Sequence, residues 1–267
     1  MVDFSRYETI QVERQDDILI LTLNRPEVLN AVSSQMHTEL SRIFLDVDED
    51  DEANVVVLTG AGRAFCAGGD ITNMTPEGAE ARRHVTRVRG EAYQIVERML
   101  AVEKPVIAMV NGAAVGLGAT LALLCDIIVM AEDARIADTH VNVGLVAGDG
   151  GTVTWPLYVG PHRAKEMLML GRFVLGAEAA AMGLVNHAVP RDELRSFTMT
   201  LARQLADQLP YAVRATKMAI NRTLARQVLE QMDACLSWEG TSFQDPNHPE
   251  AAAAFLGKRR PAFARKV

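Results

Sequence analysis

Short runs of β-branched and aliphatic residues alternate with longer segments of helical periodicity, and this alternation restricts the fold more than any other feature of the sequence. Uninterrupted apolar runs occupy residues 55–59, 106–110 and 127–130. A strand buried on both faces reads as such a run, so each predicts a strand of a largely parallel sheet. A polar helical pattern at about residues 77–100 separates the first two runs. The sequence therefore predicts an α/β fold.

The two ends of the chain differ in character. Residues 7–15 and 18–23 read as two strands around a polar turn, so a hairpin opens the fold. After Pro190 the pattern is helical, which divides the chain into a core domain of residues 1–190 and a C-terminal helical region of residues 191–267. This region is too small to bury its own core, so it either folds back on the α/β body or packs against another subunit.

Charge and composition exclude several classes of partner. The 267 residues include 27 Lys plus Arg and 34 Asp plus Glu, a net charge of −7 that disfavours nucleic acid as a partner. Three widely separated cysteines form neither a disulfide framework nor a zinc motif, so no metal is expected. The apolar segment 106–130 is interrupted by glycines, Asn111 and Asp126, which disfavours a membrane span. With no apolar signal segment at the start, the sequence favours the cytoplasm.

Several common enzyme motifs are missing. The TGAG sequence at residues 59–62 follows a strand, but the third glycine of a dinucleotide-binding fingerprint would fall at Phe65. No G-x-S-x-G elbow, Walker A loop or H-E-x-x-H motif occurs. Nucleotide-dependent dehydrogenases, serine hydrolases of the elbow type, P-loop NTPases and zinc proteases are therefore not indicated.

Two glycine-bearing turns, at residues 64–70 and 111–118, each follow a predicted buried strand. Small residues let a ligand approach the backbone, and two such turns can direct two N–H donors at one oxygen atom. The alternative is that the glycines only permit tight turns in a packed core. Spacing alone does not decide between an oxyanion site and this structural role.

The sequence resembles the crotonase superfamily, the enoyl-CoA hydratase/isomerase group, over residues 18–263. The motifs that carry the resemblance are AFCAGGDI (64–71), KPVIAMVNG (104–112), GLG (116–118), CDI (125–127) and FLGKRRPAF (255–263). The resemblance implies a spiral of β-β-α units with a C-terminal helical region used in trimerisation, commonly within a hexamer. It also implies an acyl-CoA substrate and no separate cofactor, since the CoA is part of the substrate.

Site residues follow from the same resemblance. The backbone N–H groups of Gly69 and Leu117 match the family's oxyanion hole, which stabilises a thioester enolate. The other matched positions are a CoA-binding set: Arg25, Ala64, Phe65, Cys66, Ala67, Gly68, Gly69, Asp70, Lys258 and Phe263. For Lys258 the alternative is a solvated basic tail.

The chain departs from the family pattern at both catalytic glutamates, which correspond to Thr120 and His140. Threonine is not a base near pH 7, and histidine differs from glutamate in charge and reference pKa. Asp149 follows His140 by nine residues across a glycine-rich loop, so these two could form a dyad in which Asp149 orients the imidazole. A surface His140 with Asp149 as a turn residue is the alternative.

Three functional hypotheses result. The first is an enoyl-CoA hydratase/isomerase-type activity in which His140 and Asp149 replace the glutamates. The second is a retro-Claisen carbon–carbon hydrolase of a β-dicarbonyl substrate, because the His140–Asp149 spacing resembles that of the superfamily's β-diketone hydrolases. The third, suggested by Thr120, is a CoA-ester binding protein with little catalysis. The remaining histidines, at positions 37, 84, 162, 187 and 248, are expected at the surface or at an interface.

Overall fold

Two sheets form the body of the molecule in the computed structural model, which describes residues 2–70 and 78–263, with residues 78–87 described as helix backbone only. The main sheet contains six strands in the spatial order β1-β2-β3-β5-β7-β10. Their bounds are β1 Ile10–Gln15, β2 Ile18–Leu23, β3 Val55–Gly60, β5 Val106–Val110, β7 Ile127–Ala131 and β10 His187–Val189. The opening pair β1–β2 is antiparallel, and every other pairing in this sheet is parallel.

A smaller sheet contains four short strands in the order β4-β6-β8-β9. Their bounds are β4 Ala64–Cys66, β6 Ala113–Val115, β8 Arg135–Ala137 and β9 Val174–Leu175. Each main-sheet strand β3, β5 and β7 is followed directly by a strand of the small sheet and then by a helical segment. The repeat of strand, strand and helix confirms the expected α/β spiral and places the ends of β4 and β6, which carry the two glycine turns, side by side.

Eight α-helices surround the sheets in the described part of the chain. They are α1 Ser34–Glu49, α2 Gly78–Ala101, α3 Leu117–Leu123, α4 Gly151–Leu170, α5 Gly176–Ala181, α6 Leu194–Ala206, α7 Pro210–Ser242 and α8 His248–Leu256. Helix α1 shows why these segments form where they do, because the Ser33 hydroxyl accepts a hydrogen bond from the Met36 N–H at 3.2 Å and caps the N-terminus. No helix among these residues is both long and apolar enough to span a bilayer.

The C-terminal helices fold back on the body. Helix α6 contacts strands β3, β5 and β7, and α7 contacts α2 and α4. On α7 the Lys217 ammonium lies 2.7 Å from an Asp126 carboxylate oxygen, and the Asn221 amide donates to the Leu100 carbonyl at 2.9 Å. These polar contacts fix α7 to the end of α2 and to the segment between β5 and β7. Of the two arrangements that the sequence left open, folding back on the α/β body is therefore present within the single chain.

Helix α4 is the main element that periodicity did not reveal. It contains Pro156 and Pro161, and Gly160 has φ +75°, so two shorter helices meet at a kink. Proline removes a backbone donor and disfavours the helical conformation of the preceding residue, which disguises the helix in the sequence. This helix begins at Gly151, directly after the loop that carries Asp149.

Candidate active site

The two glycine turns contact each other. Gly68 has φ +89°, a conformation that side-chain-bearing residues rarely adopt, and a Cβ added there would lie 2.8 Å from the Val115 carbonyl oxygen. A Cβ added at Gly116 would lie 3.9 Å from the Cα of Gly68. The backbone of the first turn thus rests on the backbone of the second, and Gly69 and Leu117 follow immediately after the contacting residues.

Both N–H groups assigned to the oxyanion hole are left out of the surrounding backbone pairing. At Gly69 the bridge to Val32 uses the Gly68 carbonyl and the Asp70 N–H, at 2.8 and 3.1 Å, so the Gly69 N–H faces the opposite side. Leu117 is the first residue of α3, where the N–H has no partner within the helix. Neither donor is therefore used by the backbone hydrogen bonds of the described residues around it.

Asn30 holds the first turn in place, and the sequence analysis missed it. Its side chain is fully buried, and its amide donates to the carbonyls of Ala61 and Ala64, both at 2.9 Å. The side-chain oxygen of Asn30, Oδ1, accepts a hydrogen bond from the Arg25 backbone N–H at 2.9 Å. Asn30 has φ +57°, a region that asparagine tolerates better than most residues.

The proposed CoA-binding residues differ in accessibility. Ala64, Phe65, Cys66 and Gly68 are buried, whereas Ala67, Gly69 and Asp70 are partly exposed at the turn. Burial raises the pKa of the Cys66 thiol to about 12, so it stays protonated and unreactive at neutral pH.

The charged members of the same set lie apart along the chain. Arg25 donates to the Ala31 carbonyl at 2.5 Å and lies 3.6 Å from the Asp70 carboxylate, so this guanidinium stands beside the first turn. Lys258 and Phe263 follow α8 and are exposed. No hydrogen bond or ion pair among the described residues joins either of them to the turn.

His140 is not a surface residue: its side chain is 11% exposed and lies beside the second turn. It begins a short 3-10 helix, His140–Val143, after strand β8. A Cβ added at Gly116 would lie 3.3 Å from the imidazole Cε1 atom, so the ring stands next to the residue that precedes the Leu117 N–H. This position brings an ionisable group next to the second glycine turn.

Two carboxylates flank the imidazole, one at each nitrogen. Asp138 Oδ1 lies 2.7 Å from His140 Nδ1 and also accepts the His140 backbone N–H at 3.2 Å. Asp149 Oδ2 lies 3.5 Å from His140 Nε2, an ion-pair distance. Asp149 thus lies beside His140, as the predicted dyad requires, but the shorter contact that orients the ring comes from Asp138, which the sequence analysis did not identify. The Asp-x-His spacing was the signal, since aspartate often bonds to backbone groups two residues ahead.

Thr120 closes the site from α3. It is fully buried, and a Cβ added at Gly150 would collide with its Cγ2 methyl group, which shows how closely the Asp149–Gly150 loop approaches α3. Its hydroxyl makes no hydrogen bond within the described part of the chain, and neither does Asp149 Oδ1. Buried polar atoms are usually paired, so these two are candidates for contact with a ligand or water.

The charges of the cluster determine which group carries a proton. Burial disfavours a charged imidazole, but the negative charges of Asp138 and Asp149 outweigh this effect and raise the pKa of His140 well above its ordinary value of 6.5. Burial raises the pKa of Asp149 from 3.8, although the neighbouring imidazolium opposes the shift. His140 is therefore cationic at neutral pH, and Asp149 is a carboxylate of increased basicity.

The same three side chains offer ligand atoms within 4.8 Å of one another, the spacing of a possible metal site. However, the imidazole stands between the carboxylates, with one nitrogen facing each. A metal ion would need to displace the 2.7 Å contact between His140 and Asp138 to reach Nδ1. The geometry thus fits an ion-pair triad better than a metal site.

Two further histidines were expected at the surface or at an interface, but both are buried within the chain. His37 on α1 is buried, and its Nδ1 atom lies 2.7 Å from a Glu91 carboxylate oxygen on α2. His248 on α8 is buried, and its Nδ1 atom lies 2.8 Å from the Val143 carbonyl oxygen. The second contact fastens α8 to the 3-10 helix that begins with His140. The side chain of His84 lies outside the described residues.

Comparison with known proteins identifies the family. The family model described as enoyl-CoA hydratase/isomerase matches residues 13–266, a range that includes both glycine turns and the His140–Asp149 segment. The chain belongs to the enoyl-CoA hydratase/isomerase family. It is therefore an acyl-CoA enzyme of the hydratase/isomerase type, which confirms the family resemblance seen in the sequence.

Relatives of this hydratase/isomerase-type enzyme carry different activities in their names. The chain is 35% identical over 251 residues to 1,2-epoxyphenylacetyl-CoA isomerase of Escherichia coli (strain K12), covering 93% of this chain and 95% of the relative. It is 32% identical over 259 residues to the short-chain-enoyl-CoA hydratase of Clostridium acetobutylicum, covering 93% and 95%. The crystal structure of an enoyl-CoA hydratase/isomerase from Mycobacterium paratuberculosis superposes with a TM-score of 0.87 at 38% identity, over 92% of this chain and 97% of that one.

Proposed function

We propose that this enzyme moves protons on an enoyl-CoA thioester through an enolate bound at the Gly69 and Leu117 N–H groups. The observation that supports this most directly is the contact between the two glycine turns, which leaves both N–H groups unpaired by neighbouring backbone. Two donors directed at one thioester oxygen stabilise the negative charge that develops on it, and losing one such donor typically costs ~10²–10³ in rate.

Asp149 is the proton acceptor in this proposal. A group that already carries a proton cannot accept another, and the raised pKa of His140 keeps its imidazole protonated near neutrality. Asp149 Oδ1 is buried and makes no hydrogen bond among the described residues, whereas Oδ2 faces the imidazolium. His140 thus holds the carboxylate in position and provides positive charge, and the Thr120 hydroxyl beside it can orient a water molecule or the substrate. Together they replace the two family glutamates.

A second candidate is retro-Claisen cleavage of a β-dicarbonyl. It is supported by the contact between His140 and Asp149, the pair whose spacing in the sequence suggested this reaction. Cleavage requires a water molecule to be activated for attack on a carbonyl carbon. The imidazole is a poor general base here while it remains protonated, so this reaction would also have to use Asp149. The charge distribution therefore favours the enoyl-CoA reaction.

One set of assays distinguishes these functions. Trans-2-enoyl, trans-3-enoyl and β-keto acyl-CoA substrates of several chain lengths are incubated with the wild type and with Asp149→Asn. We expect hydration or double-bond isomerisation by the wild type, with a loss of at least ~10²-fold in Asp149→Asn. Cleavage of the β-keto substrate alone would establish the retro-Claisen function, and thioester binding without turnover on any substrate would establish a binding protein.

CoA recognition and assembly extend the proposal. We assign the nucleotide and pantetheine to the first turn and Arg25, with Lys258 and Phe263 contributed by the exposed C-terminus, and no cofactor apart from the substrate's own CoA. Self-association as a trimer or hexamer is supported by exposed apolar side chains on α4, on β9, on α7 and in the short segment between α4 and β9. These are Met169, Leu170, Phe173, Leu175, Ile220 and Trp238. Light scattering should give three or six times the 29.1 kDa chain mass, and a monomer would contradict this assignment.

A further inference from the structure

A fourth ionisable residue, Glu239 on α7, faces the site from the C-terminal region, and the sequence analysis did not identify it. The segment of α7 around it packs directly on the loop that carries Asp149. A Cβ added at Gly148 would lie 2.7 Å from the Cβ of Glu239 and would collide with the Cys235 carbonyl oxygen. Glycine at 148 is therefore what allows α7 to approach this closely.

Hydrogen bonds fix the same contact. The Val146 N–H donates to the Ser242 hydroxyl at 3.2 Å, and that hydroxyl donates to the Glu239 carbonyl at 2.6 Å. The loop before Asp149 is thus joined to the turn of α7 that presents Glu239. The half-buried Glu239 side chain is consequently held beside the cluster rather than in bulk solvent.

The ionisable groups of the site act on the pKa of Glu239. Loss of hydration and the negative charge of Asp149 raise the pKa of Glu239 to about 8, with smaller effects from His140, which lowers it, and Asp138, which raises it. Helix α2 also contributes a charged contact to α7 in the described residues, because Arg89 lies 3.5 Å from Asp233. Asp233 precedes Glu239 by nearly two helical turns. At neutral pH Glu239 thus largely retains its proton.

We propose that Glu239 is the proton donor that works opposite Asp149 in the reaction, an assignment that rests on the proposed function. In double-bond isomerisation, the Asp149 carboxylate removes a C2 proton from a trans-3-enoyl thioester. The resulting dienolate is held at the Gly69 and Leu117 N–H groups, and the Glu239 carboxyl proton passes to C4. Return of the proton from Asp149 to Glu239 through solvent restores both groups, so the net reaction moves the double bond from C3–C4 to C2–C3.

The test compares Glu239→Gln with Glu230→Gln, an exposed glutamate on the same helix. Gln keeps the shape of the side chain but has no acidic proton, so Glu239→Gln should lose ~10²–10⁴-fold in kcat with unchanged thioester binding. The wild-type rate should fall on the alkaline side with a midpoint near pH 8, where Glu239 loses its proton, and this limb should disappear in Glu239→Gln. Glu230→Gln should retain both the rate and the limb, and Glu239→Asp should recover part of each.

Asp149→Asn, run in parallel, distinguishes failure of this assignment from failure of the proposed function. If Glu239→Gln keeps the wild-type rate and alkaline limb while Asp149→Asn is inactive, the assignment of Glu239 is wrong and the proposed function stands. If Asp149→Asn also keeps the wild-type rate, or the wild type turns over no enoyl thioester, both are overturned.

Discussion

Replacing Asp138 tests how the site holds His140 in its protonated form. Asp138 is 1% exposed, and its Oδ1 atom lies 2.7 Å from His140 Nδ1. Asp138→Asn keeps the shape of the side chain and removes the negative charge. A buried hydrogen bond between charged groups contributes about 1.5–3 kcal/mol. Since ~1.4 kcal/mol corresponds to one pKa unit, the pKa of His140 should fall by about 1–2 units in the variant.

Hydrogen–deuterium exchange at the imidazole carbon, followed by mass spectrometry, measures the pKa of each histidine without requiring activity. The exposed His162 is an internal control whose exchange rate should be the same in the variant and the wild type, and Asp207→Asn, at an exposed position, is the matched variant. Because Asp138 acts through His140, the variant should also lower kcat while leaving KM for the thioester near the wild-type value. An unchanged His140 pKa in Asp138→Asn would refute the proposed charge arrangement.

Three further substitutions test separate parts of the account. Gly68→Ala places a side chain on a backbone with positive φ and against the Val115 carbonyl oxygen. We expect the unfolding free energy, measured by urea denaturation, to fall by about 1–3 kcal/mol and the rate of turnover to fall as well. Wild-type stability and turnover would contradict the packing of the two turns. Thr120→Val removes a buried hydroxyl with no partner among the described residues, so Tm should not fall while kcat does, and a lower Tm would show a structural role. Asn30→Asp replaces an amide donor by an acceptor facing two carbonyls, so unfolding should become easier by several kcal/mol, and a wild-type Tm would show that these bonds are unimportant.

The main strands and most helices could be predicted because burial dictates their periodicity. The run at residues 106–110 coincides with strand β5, and Pro210 begins α7 as expected. The strands of the small sheet have two or three residues each, too few for a period to be read. Helix α4 was obscured because its prolines contradict the helical pattern that tertiary packing nevertheless stabilises.

The candidate site could be predicted only where its residues are close in sequence or carry a family motif. His140 and Asp149 lie nine residues apart in one loop region, and their contact followed from that spacing. Glu239 comes from a helix about ninety residues later, and only the folded chain brings it to Gly148. The sequence also could not give the charge of His140, because the pKa depends on Asp138 and Asp149 lying at opposite nitrogens.

Exchange of the C2 protons of butyryl-CoA in deuterium oxide tests the central claim most directly. This saturated thioester cannot be hydrated or isomerised, so deuterium enters at C2 only when an enolate forms. We expect exchange catalysed by the wild type and abolished in Asp149→Asn, with both proteins binding the thioester equally. Absence of exchange in the wild type despite saturating thioester, or equal exchange in Asp149→Asn, would contradict enolate formation by Asp149 at the Gly69 and Leu117 N–H groups.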